Sequence, residues 1–246
     1  MRYLILTDIH ANRHALQAVL ADAAVQGYDT VLCLGDIVGY GGEPGAALDL
    51  TLGLSPTGLI RGNHDKVCAG LEPATSFNDV ARRAAEWTHA VLSPAQLRIL
   101  VALPRGPMRI TGDLEICHGT PFNEDQYVFD VGDAGRAMRS AACRVCLFGH
   151  THLPALYSTP AHPVERLLDG DGDGEYRLPR EGSALINVGS VGQPRDGDPR
   201  AAYGLLDLER STIRMRRVAY DIAGAQAAIR AAGLPAWLAQ RLASGE

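Results

Sequence analysis

The chain has 246 residues, with 23 Lys and Arg against 28 Asp and Glu, for a net charge of −5. That balance argues against general nucleic-acid binding, which needs a clustered basic face, and no run approaches the roughly 18 apolar residues of a membrane span. Five scattered cysteines, odd in number, and 46% hydrophobic residues exclude a disulfide scaffold and a disordered chain.

Tyr3–Thr7 is a near-continuous apolar run, as a strand buried on both faces requires. The apolar stretch is too short for a signal peptide, and with reduced cysteines a cytoplasmic protein is expected. Residues 12–26 carry Leu16, Val19, Leu20, Ala23 and Ala24 at helical spacing, with Asn12 placed to cap them. Thr30–Leu34 and Gly58–Arg61 read as strands. Residues 75–90 and 93–103 read as helices, the second opened by Ser93-Pro94. Met108–Thr111 and Leu114–His118 flank Gly112-Asp113, a hairpin signal. A helix fills 131–142, and Arg144–Phe148, Ala155–Ser158, Ala184–Val188, Ala202–Leu208 and Thr212–Val218 read as sheet. Residues 222–243 return to helix, broken at Gly233-Leu234-Pro235. Segments 40–56, 66–80 and 119–130 are left as loops that shape any pocket. The stretch 169–175 alternates acids with Gly like a calcium loop, but the twelfth position is Arg180 and no helix precedes it, so it reads as a solvated turn. No linker divides the chain, so residues 1–246 are expected to form one α/β domain of two packed sheets with helices outside, ending in a helical segment at 221–246.

Metal-ligand residue types recur at the strand ends, where open α/β sheets place their sites. Asp8-Ile9-His10 follows the first strand, Gly35-Asp36 the second and Gly62-Asn63-His64-Asp65 the third. His118-Gly119 and Gly149-His150-Thr151-His152 follow two later ones. Residues two apart can point the same way where a strand ends, so Asp8 with His10, and His150 with His152, can grip one ion. Asp36 has two oxygens and can bridge two ions. Singly, each of these residues reads as a turn or core polar group. Together they read as metal ligands, and their mixed oxygen and nitrogen donors suit Mn, Fe or Zn better than Mg or Ca.

This ordered set resembles the calcineurin-like metallophosphoesterase superfamily over residues 3 to about 208. The stretch from Asn187 through Gln193 and Arg195 to Pro199 resembles a motif of its small bacterial and archaeal phosphodiesterase branch, some members of which are diadenosine tetraphosphatase-related. The resemblance implies a metallo-dependent phosphatase-like α-β-β-α four-layer sandwich with mixed sheets. It implies two divalent transition metals, Mn first with Fe or Zn as alternatives. Asp8, His10, Asp36 and His152 would hold one, and Asp36, Asn63, His118 and His150 the other. His64 would serve as the catalytic residue, stabilising the phosphoryl transition state and helping to protonate the leaving oxygen. The implied reaction is attack of a metal-bridging hydroxide on a phosphodiester or nucleotide phosphoanhydride, since two cations ~3.5–4 Å apart bring the pKa of bridging water near neutrality. The alternatives are a phosphomonoesterase or a non-catalytic binding module on the same fold.

One departure bears on the substrate. Ser/Thr protein phosphatases of the superfamily resemble Gly-Asp-x-Val-Asp-Arg-Gly at the second motif. Here Gly39 and Tyr40 stand for the acid that would orient the catalytic His and for the phosphate-binding Arg. A small phosphoester or nucleotide substrate is therefore favoured over a phosphoprotein, with Tyr40 either a stacking surface for a base or plain packing.

The remaining polar residues divide as follows. Asp65 is expected to cap the next helix, with orientation of a neighbour as the alternative. Arg61 is divided evenly between phosphate and a core carboxylate, and Arg195, in a Gly/Pro/Asp-rich loop, is the weaker phosphate candidate. Asn12 and His14 are expected to cap and support rather than ligate. His89 and His162 read as surface, Cys117 as core, and Cys143-Arg-Val-Cys146 as structural, since a redox motif would open a helix. Trp237 and Leu238 serve either a dimer or the core.

Overall fold

The computed structural model describes residues 1–159 and 173–246. His162 and most of the 169–175 stretch lie outside the described residues.

Chain order begins with β1 (Arg2–Leu6), α1 (Arg13–Gln26), β2 (Thr30–Cys33), α2 (Pro44–Gly53), β3 (Gly58–Leu59) and α3 (Asn63–Cys68). α4 (Asp79–Val91), α5 (Pro94–Ala102), β4 (Met108–Arg109), β5 (Leu114–Ile116), α6 (Val131–Ser140), β6 (Val145–Leu147) and β7 (Ala155–Ser158) follow. β8 (Gly174–Arg177), β9 (Ala184–Asn187), β10 (Ala201–Asp207), β11 (Thr212–Val218), α7 (Ile222–Ala231) and α8 (Ala236–Gln240) complete it.

Two mixed sheets result, in the orders β3-β2-β1-β10-β11-β8 and β4-β5-β6-β9-β7. β1, β2 and β3 are parallel, as are β5, β6 and β9, while β10 runs antiparallel to β1. Period-two alternation sets the layers. In β1, Tyr3 and Ile5 join Leu114, Ile116, Val145, Leu147 and Ile186 in the core between the sheets. Leu4 and Leu6 turn to the opposite face and pack with Leu16, Val19 and Ala23 of α1. On the second sheet, Cys146, Phe148 and Leu185 face outward against Ala134 and Ala137 of α6. The four expected layers are therefore present: helix, sheet, sheet, helix. Ala225, Ile229, Leu238 and Leu242 of the C-terminal segment pack with Ala84 of α4. Leu238 is buried there and Trp237 is 48% exposed.

The caps mark where several helices start. Asn12 accepts from the Ala15 amide, Asn78 from Ala81 and Ser93 from Gln96. Because Asn78 is the cap, the helix expected from residue 75 begins at Asp79, preceded only by a 3-10 turn at Ala74–Ser76. Three other expectations are corrected. Residues 44–53, expected as loop, form α2: Pro44 opens it, and Ala47, Leu48 and Thr51 are buried. Asn63–Cys68 forms a short helix, so the motif after the strand opens a helical turn and Lys66–Cys68, expected as loop, are helical. Gly174 and Glu175, expected in a turn, pair with Met215 and Arg214 as a sheet edge.

Candidate metal centre

The expected ligands meet at the ends of β1, β2, β5 and β6. Asp8, His10, Asp36 and His152 each place a donor atom within 4.8 Å of the others, as do Asp36, His118 and His150. All are buried. Asp36 Oδ2 stands 3.6 Å from His10 Nε2 and 3.3 Å from His118 Nε2, so it joins the two groups. Asn63 Oδ1 is 3.1 Å from His118 Nε2.

The backbone aims these side chains. Asp8, His10, Asp36, His150 and His152 all have φ between 47° and 67°. In that left-handed region the chain leaves its strand sharply, and Asp and His tolerate it better than most residues. The bends are held by hydrogen bonds: the amides of Asp8, His10 and Ala11 donate to the carbonyls of Gly35, Asp36 and Ile37. Residues 187–193 hold the centre from the other side. Asn187 Nδ2 donates to the Gly149 carbonyl and Thr151 Oγ1, Ser190 Oγ to the Asp8 carbonyl, and the Gly192 amide to the same Asp8 oxygen.

The imidazoles then settle what the centre lacks. Nδ1 of His10, His118 and His152 faces the carbonyls of Val38, Leu34 and Gln193, at 3.2, 2.8 and 2.6 Å. Each Nδ1 therefore carries a proton and each Nε2 points inward, and at His10 and His152, where burial holds the pKa well below the ordinary imidazole value, that Nε2 is a lone pair. His10 Nε2 and His152 Nε2 stand 3.0 Å apart. Two lone pairs that close repel each other unless a cation lies with them. Asp36 Oδ2 is buried beside them without a hydrogen-bond partner. His150 is turned the other way, with Nε2 3.1 Å from the Asp125 carbonyl, which leaves Nδ1 for the centre. The donor set fits cations.

The electrostatics agree. Burial raises the Asp8 pKa to about 7. Burial also works against the Asp36 charge, but His118 and His64 hold its pKa well below the carboxylate range. Burial alone would lower the His118 pKa, yet the Asp36 charge 3.3 Å away carries it to about 10. A proton there does part of the neutralising that a metal ion would do.

His64 lines an adjoining cleft of about 390 Å³ together with Tyr40, Lys66, Phe77, Tyr127 and His150. Its amide donates to Asp36 Oδ1 at 2.8 Å, and its ring packs against Tyr40 and Phe77. His64 Nδ1 is buried without a partner. Gly39, at φ +85°, explains this: a Cβ there would stand 2.5 Å from that nitrogen. The position where the resemblance puts an orienting acid is thus occupied by the ring itself, and burial lowers the His64 pKa to about 4.

The other expectations resolve from their partners. Asp65 caps α3, accepting from the Gly62 amide at 3.0 Å, and also clamps the preceding loop through the Val38 amide at 3.1 Å. Arg61 pairs with Glu124 through two hydrogen bonds, so the core-carboxylate alternative holds. Asn12 caps α1, and His14 faces Glu43 and Asp221 rather than the centre. Cys117, Cys143 and Cys146 are buried and free, and His89 is exposed. Arg195 sets its guanidinium 5.8 Å from the Tyr40 ring centroid.

Three cleft residues escape the sequence reading. Lys66, immediately after the Asn63-His64-Asp65 motif, reaches Asp125 and Glu72. Asp125 holds His150 through its carbonyl. Tyr127 stacks on His150 with centroids 3.9 Å apart, and Phe129 stacks on Tyr127. The available signal was Lys66's place beside a motif and the aromatic pair in the 119–130 loop.

A four-layer sandwich with clustered Asp and His donors at its strand ends defines a metal-dependent phosphoesterase class. The chain belongs to the calcineurin-like phosphoesterase superfamily, whose domain model matches residues 1–211. It is 34% identical to an uncharacterised protein of Methanocaldococcus jannaschii over 250 residues, 98% of this chain and 97% of that one. A metallophosphoesterase from Sphaerobacter thermophilus is 37% identical, with 100% of this chain and 99% of that one covered and a TM-score of 0.88. A hypothetical protein from Pyrococcus horikoshii shares the fold at 20% identity and a TM-score of 0.79, with coverage of 100% and 98%. Among the described residues, no helix is long and apolar enough to cross a membrane.

Proposed function

We propose that the protein is a cytoplasmic, dinuclear-metal phosphoesterase, with residues 1–246 acting as one domain, that hydrolyses phosphodiester or nucleotide phosphoanhydride bonds. The 3.0 Å approach of two lone-pair nitrogens, His10 Nε2 and His152 Nε2, beside the unpartnered Asp36 Oδ2 carries this reading. Asp8, His10, Asp36 and His152 hold one ion, and Asp36, Asn63, His118 and His150 the other. Mn is preferred for the mixed donors, with Fe or Zn as alternatives. When bound, the ions supply neutralisation of phosphoryl charge and a lowered pKa for attacking water.

The chain's own residues do the rest. Asp36 fixes His64 through the backbone, and Tyr40 and Phe77 hold its ring at the cleft wall. His64 is the catalytic residue: it is neutral in the empty cleft, and the negative charge of a bound phosphate raises its pKa so that it takes up a proton from solvent, which the imidazolium then donates to the leaving oxygen, returning the ring to its neutral form. Gly39 and Tyr40 in place of an acid and an Arg support a small diester over a phosphoprotein. The test is elemental analysis together with hydrolysis of bis-p-nitrophenyl phosphate, with and without manganese. Two metals per chain and manganese-dependent turnover are expected. Two metals without diester turnover would move the reading to a monoesterase, and failure to bind metal would leave a binding module.

A further inference from the structure

Of the four imidazoles at the centre, one is held differently. His10, His118 and His152 are fixed through Nδ1. His150 is fixed through Nε2, which stands 3.1 Å from the Asp125 carbonyl. Burial lowers the His150 pKa to about 3, so the ring is neutral and carries a single proton. The carbonyl keeps that proton on Nε2 and leaves the Nδ1 lone pair for a cation. The orientation of His150 therefore depends on where one main-chain oxygen sits, in a segment that is neither helix nor strand.

The same residue supplies the anchor. Both carboxylate oxygens of Asp125 accept from Lys66 Nζ, at 2.9 and 2.8 Å. Asp125 thus meets Lys66 with its side chain and His150 with its backbone. Lys66 lies in α3, the helix that carries Asn63 and His64, and its side chain is only 3% exposed. Burying an ammonium costs far more than leaving it at the surface, so its place calls for compensation. The Asp125 amide donates within the loop, to Asn123 Oδ1, so Lys66 is what ties this residue to α3. The loop is pressed closely onto the ligands. Tyr127 stacks on the His150 ring, with planes 21° apart. A Cβ on Gly119, next to His118, would stand 2.6, 2.8 and 3.0 Å from the carbonyl oxygens of Gln126, Glu124 and Asn123.

We propose that Lys66 is a positioning residue for His150: through the Asp125 carboxylate it sets the Asp125 carbonyl, and that carbonyl sets the ring with Nδ1 inward. The consequence for metal rests on the dinuclear reading. Lys66 serves the ion of Asp36, Asn63, His118 and His150, and not the ion of Asp8, His10, Asp36 and His152. Glu72 meets the same ammonium at 3.0 Å but lies outside the loop, so it tests charge without position.

The first measurement reads the imidazole nitrogens of His150 by ¹⁵N resonance in the full-length, metal-free protein. The wild type is expected to carry the proton on Nε2 alone. Lys66→Met should give a mixture of both tautomers, and Lys66→Arg should restore the wild-type pattern. Asp125→Ala removes the other partner at an exposed position and should match Lys66→Met, while Glu72→Gln should change nothing. Calorimetric titration with manganese follows. Lys66→Met and Asp125→Ala should each weaken one ion ~10–100-fold, the loss typical when a group supporting a metal ligand is removed, and leave the other unchanged. A wild-type tautomer in either folded variant, or equal weakening of both ions, would overturn the proposal. Fewer than two ions on the wild type, with the tautomer change intact, would instead overturn the dinuclear reading and leave Lys66 as the group that orients His150.

Discussion

The first turn of α3 gives Asn63 and His64 to a cluster in which nitrogen faces nitrogen and a carboxylate oxygen faces no donor. Two residues further on, buried Lys66 enters a second cluster, with buried Glu124 and the half-exposed Asp125 and Glu72. There its ammonium meets Asp125 at 2.8 Å, Glu72 at 3.0 Å and Glu124 at 3.5 Å, and Arg61 grips Glu124. Both clusters put charge where water is scarce, and burial of charge is tolerated only with compensation. The Lys66 cluster is complete in itself: each charge has an opposite partner on the chain. The Asp36 cluster is not complete in this way, since Asp36 Oδ2 has no hydrogen-bond partner on the chain, and the proposed cations would complete it. A buried polar group without a partner is therefore informative here because its neighbours show that this chain can satisfy such groups.

The contrast sets expectations for each cluster. Asp36→Asn removes the carboxylate shared by both groups of ligands. It should cost more activity than the ~10–100-fold lost when a group merely supporting a metal ligand is removed. Elemental analysis should show fewer metals per chain, and full stoichiometry in this variant would count against the bridging role. Manganese at about 100 times its dissociation constant should stabilise the wild type by about 2.7 kcal/mol. That corresponds to roughly 5–10 °C in a melting scan of a chain this size. The Asp36→Asn variant should show less of the shift and a Glu124→Gln variant all of it.

Glu124→Gln itself leaves Arg61 without its ionised partner and should cost about 1–3 kcal/mol, read as a lower urea midpoint. Its metal content should not change. The smallest effect is a pH dependence. Burial opposes the Glu124 charge, but Arg61 and Lys66 overcome it and lower its pKa below the ordinary 4.5. A carboxylate lowered on folding stabilises above its unfolded pKa and loses that contribution as pH falls through the folded value. The wild type should therefore lose stability below pH 4.5 more steeply than Glu124→Gln, and parallel acid limbs would remove Glu124 from the account.

The sequence disclosed the centre better than its surroundings, for physical reasons. Asp8, His10, Asp36, Asn63, His118, His150 and His152 announce themselves because strand-end geometry forces ligands into short motifs beside glycines. Asn12 and Ser93 were legible as caps because capping is local. The left-handed backbone at five of the candidate ligands was not, since it is imposed by hydrogen bonds to distant loops such as Ser190 to Asp8. α2 hid because, although its buried residues Pro44, Ala47, Leu48 and Thr51 fall at helical spacing, Ala46, Leu50 and Leu52 spread apolar residues over its other faces and blur the stripe. Arg61 could not be assigned until Glu124, 63 residues away, was seen against it. Trp237 read as dimer contact or core, and sequence spacing did not disclose that it is half-exposed and lines a cavity with Tyr40.

The clasp of Ser190 and Gly192 on the Asp8 carbonyl has a consequence for biosynthesis. Ser190 lies 182 residues downstream of Asp8. At about 5–20 residues per second, the ribosome needs roughly 10–40 s to span that gap. Throughout that interval the nascent chain carries its first carboxylate and imidazole in a loop that only the carbonyls of Gly35, Asp36 and Ile37 can hold, without the second clasp. The β10 strand that will flank β1 comes later still. Translation therefore acts as a timer, and a high-affinity cation trap does not exist on a half-made polypeptide. Stalled chains ending before Ser190 should emerge without manganese, whatever the concentration in the synthesis mixture.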